Sequence, residues 1–223
     1  MTDCHGLPLI ISAPSGAGKS SLLAALLARF NLDGRLRMSV SHTTRAPREG
    51  ETDHVSYHFV DRGQFEELIA RGAFYEYARV FGNYYGTSRE VVEQWLSEGH
   101  DVLLDIDWQG ARRIREQTPG TVSIFILPPS LDILRERLEK RGLDTPEVIA
   151  SRMSRARDEI SHYTEYDYLL FNDVFEQALA ELHAIIVACR MQCRRQAAAH
   201  EARIAGMLAG MPPAAGTDGM PPP

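Results

Sequence analysis

Apolar positions along the chain fall into short continuous runs separated by longer stretches with helical spacing. Leu7–Ser12 is an apolar run ending in a glycine-rich turn, and Ser20–Phe30 follows with the period of a helix. Arg37–Val40 reads as a short second strand. Ser41–Asp53 is polar, with turn signals at Ala46-Pro47 and Glu49-Gly50. Val55–Val60 alternates as a strand does, and Asp61–Arg71 predicts a helix with Asp61 as N-cap. Phe74–Gly86, rich in Tyr, Phe and Gly, predicts strands joined by tight turns.

Strand and helix then alternate. A helix is expected over Ser88–Glu98, a buried strand over Val102–Ile106, a helix over Gln109–Glu116 and a strand over Val122–Leu127. Leu131–Arg141 and Pro146–Ile160 predict helices, the second with Thr145 as N-cap and Pro146 at its first position. Tyr168–Phe171 is the last core strand. A long helix begins near Asp173, where Glu176 is placed to complete a capping box.

Repeated strand–helix units with all-apolar strands predict an α/β fold, a parallel sheet covered on both faces. The expected core comprises 6–40, 89–130 and 161–208, interrupted by a small mixed subdomain at 41–88 and a helical lid at 131–160. A tail, 209–223, is expected to be disordered, since five of the twelve prolines fall from Met211 onward.

The 223 residues suffice for one such domain with insertions. A net charge of −6 argues against a nucleic-acid duplex or an anionic membrane as a general partner. Only Lys19 and Lys140 among 24 basic residues are lysines, so the Lys at position 19 stands out. Cys4, Cys189 and Cys193 make neither a disulfide framework nor a four-ligand zinc site. Cys189 and Cys193 read as small apolar fillers on one helix face. With no signal-like segment and no apolar run near the ~18 residues that span a membrane, a reducing cytoplasm is the expected compartment.

The first turn carries the chemistry. Ala13, Pro14, Ser15, Gly16, Ala17, Gly18, Lys19 and Ser20 fit the pattern of a phosphate loop between strand and helix. Gly16 and Gly18 let backbone N–H groups turn toward an anion, and the helix adds its positive end. Lys19 is suited to the β- and γ-phosphates of ATP, and the Ser20 hydroxyl to Mg²⁺. Val102–Asp105 ends in a carboxylate, as a strand that supports Mg²⁺ does. No Asn-Lys-x-Asp occurs, so a GTPase-type guanine site has no candidates.

A nucleotide acceptor needs cations for its phosphate, partners for its base and a lid against water. Arg45 and Arg48 flank Pro47 and offer planar forks for phosphate oxygens, with Tyr57 and Tyr85 as hydroxyl donors. Glu76, set among aromatics, can accept both N1–H and N2–H₂ of guanine, and Asp107 is a second carboxylate. Ser41 and Thr87 offer hydroxyls for O6 or N7. Thr87 reads equally as a capping box with Glu90, and Asp107 as the cap of the next helix. In the lid, Arg155 and Glu159 read as an ordinary helix-face pair. Arg137 and Arg141 repel at i,i+4 unless an anion binds, although Gly142 marks a helix end where cations are favoured anyway.

Five motifs carry a family likeness: Ser-Ala-Pro-Ser-Gly-Ala-Gly-Lys-Ser-Ser, Ser-Val-Ser-His-Thr-Thr-Arg, Phe-Gly-Asn-Tyr-Tyr-Gly-Thr-Ser, Leu-Asp-Ile-Asp-Trp-Gln-Gly and Phe-Ile-Leu-Pro-Pro-Ser. With them the chain resembles the bacterial guanylate kinases over about Gly6 to Arg195. The resemblance implies a P-loop NTPase-type fold with a parallel five-stranded sheet, a GMP-binding subdomain and a mobile lid. It places Ser41, Glu76 and Asp107 on the guanine, and Arg45, Arg48, Tyr57 and Tyr85 on the GMP phosphate. Arg137, Arg141 and Arg152 match its core and lid arginines, and Asn172 a position near the adenine. His54 stands where the family often has Gly, and Glu49 where Pro is common.

The implied reaction is ATP + GMP → ADP + GDP, with Mg²⁺ accompanying ATP. The acceptor oxygen is already anionic, so no general base is needed; in-line positioning and charge neutralisation supply the catalysis. Two alternatives stand beside it: a non-catalytic protein-binding module built on the same fold, and a kinase for another nucleoside monophosphate. The intact Lys19 and Ser20 disfavour the first, and Glu76 disfavours AMP.

Overall fold

The computed structural model describes residues 6–48, 50–80, 82–140 and 145–210. In chain order the core begins with β1 (Pro8–Ser12), α1 (Lys19–Phe30) and β2 (Leu36–Met38). The insertion holds β3 (His42–Thr43), β4 (His58–Phe59), α2 (Arg62–Ala70), β5 (Phe74–Val80) and β6 (Asn83–Ser88). The core resumes with α3 (Arg89–Ser97), β7 (Asp101–Asp105), α4 (Trp108–Gln117) and β8 (Val122–Leu127). Then come α5 (Leu131–Lys140), α6 (Pro146–Ser161), β9 (Tyr168–Phe171), α7 (Phe175–Arg190), α8 (Cys193–Ala199) and α9 (Glu201–Ala209).

The core sheet is parallel, in the order β2-β7-β1-β8-β9. Its central strand β1 is buried throughout, and the period of two divides its side chains between two cores. Leu9 and Ile11 pack with Leu22, Leu23 and Leu26 of α1 and Leu179, Leu182 and Ile186 of α7. Ile10 faces the other way, onto Val92 and Leu96 of α3 and Ile114 of α4. Burying each such side chain contributes about 1.5–3 kcal/mol. Strand ends and the following turns are therefore held firmly, and the chemistry-bearing turn after β1 lies at such an end.

The insertion builds a separate four-stranded sheet, β4-β3-β6-β5. Phe65 of α2 stacks on Phe74 and Tyr84, at 4.6 and 5.1 Å between centroids. A Cβ on Gly86 would lie 3.0 Å from both Phe65 and Phe74, so close packing of helix on sheet requires glycine there. The expected N-cap at Asp61 forms, with Gln64 completing a capping box. In the lid, Leu134, Leu138, Met153 and Ala156 make a small core of their own between α5 and α6.

Several expectations need correction. The strand expected over Val55–Val60 reduces to His58–Phe59, because residues 52–56 form a turn in which Ser56 N–H donates to the Thr52 carbonyl at 2.8 Å. Its parallel partner, His42–Thr43, lies in the stretch read as a polar loop, where no apolar alternation marks a strand. Glu176 caps nothing: α7 starts at Phe175 with no side-chain cap, and Glu176 accepts from Arg29 at 2.6 Å. Cys189 is buried at the end of α7, as expected, but Cys193 starts α8 and is exposed. The expected tail from Met211 lies outside the described residues; Ala209 still belongs to α9.

Candidate active site

The turn after β1 has the geometry its sequence demands. Gly16 and Gly18 adopt φ of 96° and 93°, a region closed to most L-residues. Gly18 is the N-cap of α1 with no side-chain cap, which leaves the helix N-terminus open to an anion. Ala13 and Gly16 are half-buried, Pro14 and Ala17 buried, and Ser15 and Ser20 exposed. Asn172, buried after β9, donates its amide to the Ala17 carbonyl at 2.7 Å. A Cβ on Gly18 would come within 2.4 Å of that amide nitrogen, so Asn172 and Gly18 fit only as a pair. The Lys19 ammonium pairs with the Asp105 carboxylate at the end of β7.

Helices α5 and α6 touch this loop through two side chains. Arg137 of α5 reaches the Ala17 carbonyl at 3.4 Å, and Arg152 of α6 the Ser15 hydroxyl at 3.5 Å. Glu159 of α6 is half-buried within electrostatic reach of Lys19 and Asp107. Burial, reinforced by the charge of Asp107, pushes Glu159 up to about 7 against the opposing pull of Lys19. The expected surface pairing of Glu159 with Arg155 is thus the lesser part of its environment. Arg141 lies outside the described residues.

The insertion gathers the second group of candidates. Arg45 donates to both oxygens of Glu51 at 2.8 Å, and Arg48 offers its backbone N–H to the same carboxylate at 2.8 Å while its side chain is exposed. The Arg45 guanidinium stands 5.4 Å from the Tyr57 ring centroid and within electrostatic reach of the Tyr85 hydroxyl. Tyr57 and Tyr85 meet edge to face at 5.9 Å. Burial and then the charge of Asp105 push the Tyr57 hydroxyl up to about 12, so it remains a donor. The nearby Asp105 also links this cluster to Lys19.

Glu76 on β5 is 7% exposed and accepts the Thr87 hydroxyl at 2.7 Å. Burial, then the charge of Asp107, raises its carboxyl to about 7 although the Thr87 bond opposes the shift. A Cβ on Gly110 would lie 2.8 Å from Glu76 Oε2, so the glycine of α4 makes room for that carboxylate. Asp107 caps α4, accepting the Gly110 N–H at 2.9 Å. The capping-box reading of Thr87 fails, since its hydroxyl is spent on Glu76 and Ser88 is the N-cap of α3. Ser41, half-buried, leads into β3, and its carbonyl accepts the His58 N–H at 2.9 Å.

Glu51 and Glu159 were not singled out from the sequence as site residues. Glu51 carries no periodic signal, and the i,i+4 spacing of Glu159 to Arg155 pointed outward. His54 holds φ at 61°, a conformation that costs a non-glycine residue about 1 kcal/mol, and its Nδ1 lies 2.8 Å from Nδ1 of His58. Glu49 lies outside the described residues. Among those described, no three His, Cys, Asp or Glu converge as a cation site. No helix among them is long and apolar enough to cross a membrane.

Comparison with known proteins adds a family to this geometry. The family model described as "Guanylate kinase" matches residues 5–189. A guanylate kinase of Alkalilimnicola ehrlichii is 57% identical over 191 residues, covering 86% of this chain and 93% of its own. One of Vibrio parahaemolyticus is 57% identical over 204 residues, covering 92% and 98%. The crystal structure of guanylate kinase from Anaplasma phagocytophilum superposes with a TM-score of 0.71 at 37% identity, covering 87% of this chain and 92% of that one.

Proposed function

We propose, on the premise that this chain belongs to the guanylate kinase family, how its residues divide the work of the reaction. The enzyme phosphorylates GMP to GDP at the expense of ATP. The observation that carries the assignment is one connected cluster, in which Lys19 pairs with Asp105, and Asp105 in turn faces Tyr57 beside Arg45. A donor-side cation and an acceptor-side cation thus stand on either side of Asp105 and Tyr57, an arrangement suited to in-line phosphoryl transfer.

On the donor side, the backbone of 13–20 and Lys19 take the ATP phosphates, and Arg137, Arg141 and Arg152 add positive charge from the lid. Asn172 braces the loop from beneath the nucleotide. On the acceptor side, Arg45, Arg48, Tyr57 and Tyr85 take the GMP phosphate. Glu76 receives the guanine N1–H and N2–H₂, Asp107 supports it, and Ser41 and Thr87 supply hydroxyls. Adenine presents an acceptor where guanine has N1–H, which would leave Glu76 unpaired. A divalent cation fits the oxygen donors Ser20 and Asp105, and with too few protein ligands for a closed cage it takes the rest from phosphate and water, as Mg²⁺ does. Bound there, it supplies charge neutralisation at the transferring phosphoryl group. The thiols of Cys189 and Cys193 fit a reducing cytoplasm.

The test is ADP release from ATP and Mg²⁺ with GMP, AMP or UMP as acceptor. Strong stimulation by GMP alone is expected; turnover indifferent to GMP would sink the assignment.

A further inference from the structure

The turn before β4 holds a residue that neither nucleotide pocket uses. His54 stands where the family often has glycine, and its φ of 61° is the reason glycine suits that position. Its backbone N–H donates to the Tyr57 carbonyl at 2.8 Å, so this left-handed residue closes the turn that presents Tyr57. Its ring supplies what a glycine lacks. Nδ1 of His54 lies 2.8 Å from Nδ1 of His58, one ring donating and the other accepting, and Tyr57 lies between the two along the chain. His58 in turn stacks on His42 of β3 at 4.5 Å between centroids.

We propose that His54 is a positioning residue: its hydrogen bond to His58 holds the turn that presents Tyr57 to the GMP phosphate, and the bond is lost when both rings are protonated. The inference rests on the reading of Tyr57 as a ligand of that phosphate. With a proton on both rings each Nδ1 is a donor, no acceptor remains between them, and two like charges face each other. The surrounding groups set where this happens. Asp53 Oδ2 stands 3.3 Å from Nε2 of His54 and favours a first proton on the pair. Asp53 itself is held below the usual carboxylate range, chiefly by the Phe59 N–H that it accepts at 3.0 Å, so it stays charged. Burial, and then the charge of His54, hold His58 below the ordinary imidazole value against the pull of Asp53. His42 is pushed down to about 4 by burial and then by the charges of His58 and His54, so it remains neutral. From α3 the pair meets Val91, Val92 and Trp95 across a cavity of about 250 Å³, and none of these titrates. The second proton therefore arrives on the acid side of neutrality. The turn then loses the contact that offsets its left-handed residue, and Tyr57, with the Arg45 guanidinium 5.4 Å from its ring, is less firmly placed.

His54→Gly tests this, because glycine takes the same φ without strain and removes the imidazole. From about pH 7.5 to about pH 5.5, KM for GMP should rise at least about threefold more in the wild type than in the variant, the share of one hydrogen bond. Comparing the two proteins cancels the titration of the GMP phosphate and of Glu76, and KM for ATP should show no such difference. His54→Asn tolerates this φ and still offers a donor to His58 Nδ1, so it should keep the wild-type KM for GMP near neutrality and take the shallower profile of the glycine variant. Nitrogen-15 NMR of the imidazoles reads the pair without turnover: His58 should titrate at higher pH in His54→Gly than in the wild type, since the His54 charge is gone. Equal pH profiles of KM for GMP in the wild type and His54→Gly, or an unmoved His58 titration, would overturn the proposal. A Tyr57→Phe variant with unchanged KM for GMP would overturn the Tyr57 assignment, and the proposal's link to GMP with it, whatever the NMR titration reads.

Discussion

Glu76 is buried and Glu159 half-buried, both carboxyls are raised to about 7 with Asp107 adding to each shift, yet they face opposite partners. Glu76 has a hydroxyl donor in Thr87, and on the proposed assignment would take two more from guanine. Glu159 feels the ammonium of Lys19 instead. The same upward shift therefore arises beside a hydroxyl donor in one case and beside an ammonium in the other. A raised value near neutrality identifies a functional neighbourhood, and only the neighbour's chemistry tells which role is played.

Removing a pocket's central charge should break the comparison most visibly. Lys19→Ala is expected to lower kcat by roughly 10²–10³-fold, while GMP still binds by calorimetry. Loss of GMP binding in that variant would mean that the two pockets are not separable. Glu76→Gln should act on the other side, lowering kcat/KM for GMP by about 10²-fold or more, because a site built for hydrogen-bonded donors discriminates strongly. ATP affinity should be unchanged, a point that a fluorescent nucleotide titration would read.

Acidity sharpens the contrast. On the proposed assignment guanine binds ionised Glu76, so GMP affinity should rise about tenfold from pH 6 to pH 8. Comparing wild type with Glu76→Gln cancels the titration of the GMP phosphate itself, and only the wild type should retain the extra slope. Parallel slopes would show that Glu76 does not titrate on binding.

The smallest expected effect is on stability. The folded value of Glu76 lies above its unfolded one, so its ionisation costs the fold stability as pH rises from about 4.5 to 7, and the full cost persists above. Glu76→Gln measured without nucleotides should therefore raise Tm at pH 8, at about 2–4 °C per kcal/mol recovered in a chain of this size, and change it little near pH 4. An equal change at both pH values would point to packing instead.

Much of the donor pocket was legible because it is contiguous. Eight adjacent residues between an apolar run and a helical one specify the loop, since the backbone itself is the ligand. Glu76 was legible for a related reason, as a lone carboxylate among aromatics on a strand. The strand expected over Val55–Val60 was misplaced because turn hydrogen bonds at 52–56 outweighed a weak alternation. Thr87 offered a capping box and a base contact on equal terms, and the choice fell to Glu76 across the hairpin, a partner eleven residues away.

By itself the sequence determined the parallel core, the loop at 13–20 and the candidate groups for guanine, because each depends on local period or on neighbours along the chain. Tertiary structure decided which charges meet. Glu51 reaches Arg45, Asp105 reaches Lys19, and Thr87 reaches Glu76 across the hairpin. Those contacts join segments that sequence spacing does not relate, and burial between them, absent from any single helix or strand, sets the ionisation of the two glutamates.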